Sequence, residues 1–242
     1  MNYDWNWSIL VSEPYLGWIV TGLGWTVALS LAAWTIAFLL GSVIGILRTA
    51  NGALPRAIGT VYVELFRNVP LLVQLFLWFF VVPELLPEDA GRWVKREMPL
   101  PAFSTAVLAI GLYTASRVGE QVRSGIEAVG IGQRKAARAL GLSERQVYAS
   151  VLLPRAFRLI VPPLTSEFLT IFKNSSLALT IGVLELTGMT RQIEEYTFQG
   201  FEAFTAATVI YSLVTFTVMF GMRLLERRLR LPGESRPAAG SA

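Results

Sequence analysis

Long apolar stretches, separated by short polar segments, dominate this sequence. Residues 25–47 contain no charged side chain, and a helix of that length crosses a hydrocarbon core of about 30 Å at about 1.5 Å per residue. The remaining stretches with the composition of a span are residues 62–82, 101–116, 159–183 and 203–222, of which 101–116 is short unless it is extended. The pattern predicts an all-α membrane protein with about five transmembrane helices.

Composition supports a membrane protein and one domain. The 242 residues are 53% hydrophobic with a mean hydropathy of +0.52, which leaves too few charges to cover a soluble globule. We expect a transmembrane domain over residues 21–230, preceded by an external or interfacial segment, residues 1–20. Residues 231–242 lack apolar periodicity and predict a disordered cytoplasmic tail.

Positive charge is concentrated on one side of the five predicted spans. The segments on the other side hold only Arg92, Lys95, Arg96 and Arg191. Because cytoplasmic segments of membrane proteins carry the excess of Lys and Arg, this distribution predicts an external N terminus and a cytoplasmic C terminus. The basic side holds most of the 21 Lys and Arg residues: Arg48, Arg56, Arg117, Arg123, Arg134, Lys135, Arg138, Arg145, Arg155, Arg158, Arg223, Arg227, Arg228, Arg230 and Arg236.

Three tryptophans mark the N-terminal segment: Trp5, Trp7 and Trp18. Amphipathic rings of this kind concentrate where a membrane meets water, so the segment is a candidate for the interface. Packing of the same rings against the first span explains them equally well.

Residues 132–154 form a basic segment between two apolar stretches. Its first half favours a helix, and Gly141 can adopt the left-handed conformation that ends one. Ser143 and Gln146 have the spacing of a capping box that starts a second helix, and Pro154 is expected to end it. The segment therefore predicts a helix-turn-helix whose apolar face comprises Ala136, Ala137, Leu140, Val147 and Val151.

The spacing of small and apolar residues in this segment resembles the EAA loop. That loop is the cytoplasmic coupling element in the membrane subunits of bacterial ATP-binding-cassette (ABC) importers. Here Lys135 stands where the motif usually has a glutamate. The resemblance implies that a separate ATPase is contacted by Lys135, Ala136, Ala137, Gly141, Val151, Leu153 and Pro154.

Two further stretches, residues 64–76 and 172–177, are similar to polar amino-acid permeases, most of all to glutamate/aspartate permease subunits. The resemblance implies a type I ABC importer permease fold in the bacterial inner membrane, so that the external side is the periplasm. It also implies as partners ABC ATPase subunits, a second permease subunit (identical or homologous) and a periplasmic amino-acid-binding protein. ATP and Mg would bind to the ATPase, and no cofactor to this chain.

Charged residues within the predicted spans are candidates for function, because burying one in lipid costs several kcal/mol. Glu64 and Arg67 share a helix face and can pair, either to anchor a helix end or to gate a pathway. Lys173 lies about 21 Å into its span at about 1.5 Å per residue. Lys173, Asn174, Ser175 and Ser176 would line a translocation path or a permease subunit interface; alternatively, Lys173 forms a salt bridge between spans.

Local backbone features are also predicted for two spans. Gly41, Ser42 and Gly45 have the small-residue spacing that lets two helices approach closely, within the subunit rather than across a dimer. Pro162 and Pro163 predict a break or kink in the fourth span.

Several kinds of chemistry are unsupported by the residues present. The chain has no histidine and no cysteine, so it lacks the usual ligands of a transition metal, and no metal site is predicted. It also lacks a phosphate-binding Gly-x-x-x-x-Gly-Lys-Ser/Thr loop, so we expect a non-catalytic subunit. The basic charge fits membrane topology and contact with anionic lipids rather than nucleic acid.

Three classes of function are compatible with a polytopic membrane protein. A permease subunit driven by a separate ATPase is favoured by the coupling-loop spacing. A secondary carrier or channel for small polar solutes would more typically show internal repeats, and none is evident. A membrane scaffold without transport activity would leave Lys173 and its polar neighbours without a role.

Overall fold

The computed structural model describes residues 3–129 and 131–229, which form helices and turns without a strand. The predicted tail, residues 231–242, lies outside the described residues. A short 3-10 helix, Trp7–Val11, precedes the first long helix. The helices are α1 (Tyr15–Thr49), α2 (Ala53–Asn68), α3 (Leu71–Leu85), α4 (Glu88–Glu97), α5 (Pro101–Ala128), α6 (Ile131–Ala139), α7 (Glu144–Ile181), α8 (Leu186–Thr197) and α9 (Gly200–Leu229).

Helices α1, α7 and α9 are each long and apolar enough to cross a membrane. Two bent pairs, α2 with α3 and α4 with α5, pass the same test only when each pair is taken as one span. The count is therefore three to five, and the predicted number corresponds to the upper value.

The predicted span over residues 62–82 is not a straight helix. Helices α2 and α3 meet at an angle of 101°. Val69 between them is extended (φ −94°, ψ 127°) because the ring of Pro70 disfavours a helical conformation in the residue before it. The prediction of one continuous helix here was wrong for this reason.

The core is built on two parallel helices, α1 and α5. Trp25 meets Phe103 near one end, with ring centroids 5.2 Å apart. Near the other end, a Cβ placed on Gly45 would lie 2.5 Å from the Cβ of Val122. The two backbones are therefore in close contact, as the small-residue spacing in α1 predicted.

Helix α7 packs antiparallel to this pair and continues where the sequence predicted interruptions. Pro154 does not end a helix, because a π-helical stretch, Val147–Leu152, precedes it. In this wider turn the Leu153 amide donates to the Tyr148 carbonyl, which accommodates the proline ring. The helix also continues through Pro162 and Pro163 without a break.

The N-terminal segment packs against the start of α9 rather than on α1 alone. The Tyr3 ring lies edge-on to Phe201 at 4.9 Å, and Trp5 stacks on Trp7 at 5.8 Å. The buried Glu202 carboxylate accepts hydrogen bonds from the Tyr3 hydroxyl and from the Asn6 amide at 2.8 Å. Both tryptophans keep about half of their surface exposed.

Candidate coupling and translocation sites

The helix-turn-helix has the local geometry that the sequence predicted. Gly141 has φ +81°, which is the left-handed conformation. Its amide donates to the Arg138 carbonyl at 2.9 Å, and the Leu142 amide donates to the Ala137 carbonyl at 3.2 Å. This pair of bonds is a Schellman motif, and Gly141 occupies the left-handed position just beyond the end of α6.

The second helix of this segment starts with a capping box. The Gln146 amide donates to the Ser143 hydroxyl at 3.4 Å, and the Ser143 amide donates to the Gln146 side-chain oxygen at 2.9 Å. Two amides that a helix start leaves without partners are thereby satisfied.

The apolar face of the segment is smaller than predicted. Ala137 and Val147 are buried, and Val151 and Leu153 are half-buried. Ala136 and Leu140 were predicted on the same face but point outward, and Leu140 is 82% exposed. The outer surface, which also carries Lys135, Gly141 and Pro154, is therefore available to a partner.

Arg134 connects this segment to the turn between α1 and α2, which the sequence did not predict. Its guanidinium donates to Asn51 Oδ1 and Glu144 Oε2, each at 3.0 Å, and lies 5.5 Å from the centre of the Tyr148 ring. The Tyr148 hydroxyl donates to the Thr49 carbonyl at 2.7 Å. The end of α1 and the helix-turn-helix are thus held together.

Charged residues also line the second half of α5, beyond residue 116, where the predicted third span ended. Glu120 is shared by Arg48 and Arg123, and Arg123 also pairs with Glu127 at 2.6 Å. The i, i+3 and i, i+4 spacing of these acids and arginines was the signal that a helix continues here.

Arg117 and Glu167 join α5 to α7. The Arg117 Nε donates to Glu167 Oε2 at 2.6 Å, and its Nη2 donates to Oε1 at 3.0 Å. Glu167 is buried, whereas Arg117 remains partly exposed. No sequence pattern pairs residues so far apart, and this ion pair was not predicted.

The predicted pair of Glu64 and Arg67 does not form. Both side chains are exposed on α2. The Glu64 Oε2 atom accepts instead from the Asn68 side-chain amide at 3.0 Å, one helical turn further along.

The four polar residues at 173–176 differ in their surroundings. Lys173 is exposed, and it forms no salt bridge within residues 3–129 and 131–229. Ser175 is buried, and its hydroxyl donates to the Phe172 carbonyl at 2.8 Å; the Ser176 hydroxyl donates to the Lys173 carbonyl at 2.7 Å. Asn174 is half-buried. The hydroxyls therefore stabilise the change from α to 3-10 geometry at Ser175, and the Lys173 ammonium remains accessible.

A fully buried carboxylate, Glu185, joins three helices and was also missed. It caps α8 by accepting from the amides of Thr187 at 3.0 Å and Gly188 at 2.9 Å. Its remaining partners are the hydroxyls of Tyr211 in α9 and Thr26 in α1. Burial of this charge is tolerated because four donors satisfy it.

Comparison with known proteins defines the class of this chain. It matches the family described as binding-protein-dependent transport system inner membrane component over residues 37–231, and it belongs to that family. The chain is thus a non-catalytic, multi-pass inner membrane subunit of an importer that works with a separate ATPase and a binding protein.

Individual relatives extend the likeness over nearly the whole chain. It is 48% identical over 241 residues to the glutamate/aspartate import permease protein GltJ of Escherichia coli K12, covering 96% of this chain and 98% of the relative. It is 30% identical over 204 residues to the probable glutamine ABC transporter permease protein GlnM of Bacillus subtilis 168, covering 84% of this chain and 89% of the relative.

Solved structures show the same fold. One, described as an amino acid ABC transporter with histidines, has a TM-score of 0.78 and 31% identity, covering 94% of this chain and all of that chain. The methionine ABC transporter MetNI in an inward-facing conformation has a TM-score of 0.77 and 20% identity, covering 91% of this chain and all of that chain. The predicted ABC importer permease fold is confirmed.

Proposed function

We propose that this chain is a permease subunit of an ATP-driven importer for acidic amino acids, glutamate and aspartate. The observation that carries the proposal is the 48% identity, over 96% of the chain, to a permease whose name gives those two substrates. The relatives named for glutamine are only 28–30% identical. The closer likeness favours the acidic substrates.

In this proposal the helix-turn-helix docks on a separate ATPase that holds ATP and Mg. The outward Ala136, Leu140 and Gly141 provide a surface of small and apolar groups that a partner can approach closely. The hydrogen bonds from Arg134 to Asn51 and Glu144 connect the helix-turn-helix to the turn that follows α1, so a movement of the ATPase could be transmitted to the membrane helices. A periplasmic binding protein would deliver the substrate to the opposite end.

Lys173 contributes to the translocation path or to the interface with a second permease subunit. Its ammonium is exposed on the outside of a single chain, so in a membrane it needs a polar environment from a partner chain or a hydrated path. Asn174 is placed to assist, whereas the Ser175 and Ser176 hydroxyls bond to the backbone. Glu64 and Arg67, exposed on α2, are further candidates for such an interface.

Uptake of radiolabelled glutamate by the purified complex in proteoliposomes tests the function. ATP inside the vesicles and binding protein outside should give uptake, which unlabelled aspartate suppresses and glutamine does not. A complex whose ATPase cannot hydrolyse ATP is the control for passive leakage. Suppression by glutamine but not by aspartate would contradict the acidic substrate class.

A further inference from the structure

An arginine-lined cavity of about 480 Å³ lies at the basic end of the bundle, and the proposed function assigns no ligand to it. It opens between the end of α1, the start of α2, the end of α5 and the helix-turn-helix. Its lining includes Arg48, Arg56, Arg123 and Arg134, whereas Glu127 is the one acidic residue among its lining residues in the described part of the chain. Its volume falls within the range of pockets for small molecules, about 300–1,000 Å³.

The carboxylates near this cavity do not neutralise its arginines. Glu120 is shared by Arg48 and Arg123, and Glu144 is shared by Arg134 and Arg138.

Arg56 forms no ion pair within residues 3–129 and 131–229; its guanidinium donates to the Ala50 carbonyl at 3.0 Å. The four arginines that line the cavity thus meet three carboxylates, Glu120, Glu127 and Glu144, which leaves one positive charge uncompensated even before Arg138 is counted.

Two of the arginines also have an unused donor. The Nε atoms of Arg48 and Arg134 are buried and have no hydrogen-bond partner within the described residues. The Arg48 side chain is only 11% exposed, so bulk water does not readily replace a partner. A buried donor without an acceptor costs about 1–3 kcal/mol, so the hydrogen bonds within the described residues do not fully satisfy these two side chains.

We propose that this cavity binds a phosphate group, carried either by a soluble phosphorylated molecule or by the headgroup of an anionic lipid. Arginines that converge from several helices match the several oxygens of a tetrahedral phosphate better than the two oxygens of a planar carboxylate. A phosphate there would contact α1, α2 and α5 together with Arg134, and would strengthen the link between the helix-turn-helix and the bundle.

Arg56→Gln is the variant that tests the site with the least risk to folding. Arg56 is exposed and bonds only to a backbone carbonyl, so its loss disturbs no ion pair. Arg158→Gln is the matched control, because Arg158 is an exposed arginine of α7 that does not line the cavity. Both variants remove one positive charge from the same end of the helix bundle.

The experiment measures the thermal unfolding midpoint of the full complex in nanodiscs. In zwitterionic phosphatidylcholine discs, inorganic phosphate is titrated against chloride and acetate at equal ionic strength. A second set of discs contains phosphatidylglycerol and no added phosphate. A specific ligand raises the midpoint in proportion to its saturation, and loss of one charged hydrogen-bonding partner should weaken apparent affinity about tenfold.

Stabilisation by inorganic phosphate that Arg56→Gln weakens and Arg158→Gln preserves would establish a site for a soluble phosphate. The same contrast seen only with phosphatidylglycerol would establish a lipid headgroup site. The proposal is overturned if both variants respond alike, if neither probe stabilises the complex beyond chloride, or if acetate stabilises it as well as phosphate does.

Discussion

Arg117 and Glu167 form a two-pronged ion pair that joins α5 to α7 across 50 residues of sequence, with contacts of 2.6 and 3.0 Å. The two partners are unequally buried, because the Glu167 side chain is 7% exposed and that of Arg117 is 38% exposed. The consequence of losing one partner therefore depends on which one is lost.

We expect Arg117→Leu to destabilise the fold more than Glu167→Leu. The first change leaves a buried carboxylate without a counter-charge, at a cost of about 2 kcal/mol once the exposure of Arg117 is taken into account. The second leaves an arginine that can turn toward a polar environment. Denaturant unfolding of the purified chain in detergent measures both, and the double variant should be more stable than Arg117→Leu. Equal losses in the two single variants would contradict this.

Close packing of α1 on α5 makes Gly41 and Gly45 intolerant of a side chain. A Cβ at either position would lie about 2.5–2.6 Å from the side chain of Val118 or Val122. Gly45→Ala should cost about 1–3 kcal/mol through overpacking. Gly24→Ala in the same helix is the control, since nothing lies within 4 Å of its Cβ. Unfolding midpoints of the two variants should differ clearly, and matching midpoints would show that the helices can separate without cost.

The left-handed conformation of Gly141 predicts a defect in coupling rather than in packing. No atom lies within 4 Å of a Cβ placed there, so Gly141→Val costs about 1 kcal/mol or more through its backbone alone. We expect ATP hydrolysis stimulated by the binding protein to fall while membrane insertion persists. Gly132→Ala, with equally open surroundings and no positive φ, should leave stimulation intact. Normal stimulation in Gly141→Val would show that this loop is not the coupling element.

Lys173→Met is expected to abolish uptake while the complex still assembles and binds ATP. The ammonium forms no salt bridge within the described residues, so its removal should not destabilise the single chain. Lys173→Arg keeps the charge and should retain part of the uptake. Size-exclusion chromatography measures assembly of the complex, and proteoliposome assays measure uptake. Dissociation of the Lys173→Met complex would place the residue at a structural subunit contact, and unchanged uptake would exclude both roles.

Orientation in the membrane is predicted from charge and can be tested with reporter fusions. A fusion after residue 90 should be active on the periplasmic side and a fusion after residue 140 on the cytoplasmic side. Arg48, Arg56, Arg123 and Arg134 gather around one cavity at one end of the bundle, as this orientation requires. A reporter after residue 140 that is found on the periplasmic side would show that the orientation is the reverse of the one predicted.

Features determined by neighbouring residues were predictable from the sequence. The Gly141 turn and the Ser143 capping box depend on bonds within a few residues, and both have the expected geometry. The apolar spans were recognisable because a membrane helix must be apolar along its whole length.

Two kinds of feature were not predictable. One depends on contacts between helices that are distant in sequence, and the other on a change in backbone geometry that accommodates a proline. The Arg117–Glu167 pair needs α5 and α7 to be side by side, and the Glu185 network needs three helices to meet. Pro154 was assigned a helix-ending role because its ring removes a donor, but the π-helical turn before it absorbs the distortion. Proline alone does not indicate which of these outcomes occurs.

The buried Glu185 carboxylate has a mechanical consequence. Because it bonds to Thr26, Tyr211 and the first turn of α8, sliding α1 past α9 would strip a buried charge of its donors. These three helices should therefore move as one rigid body when the transporter changes conformation.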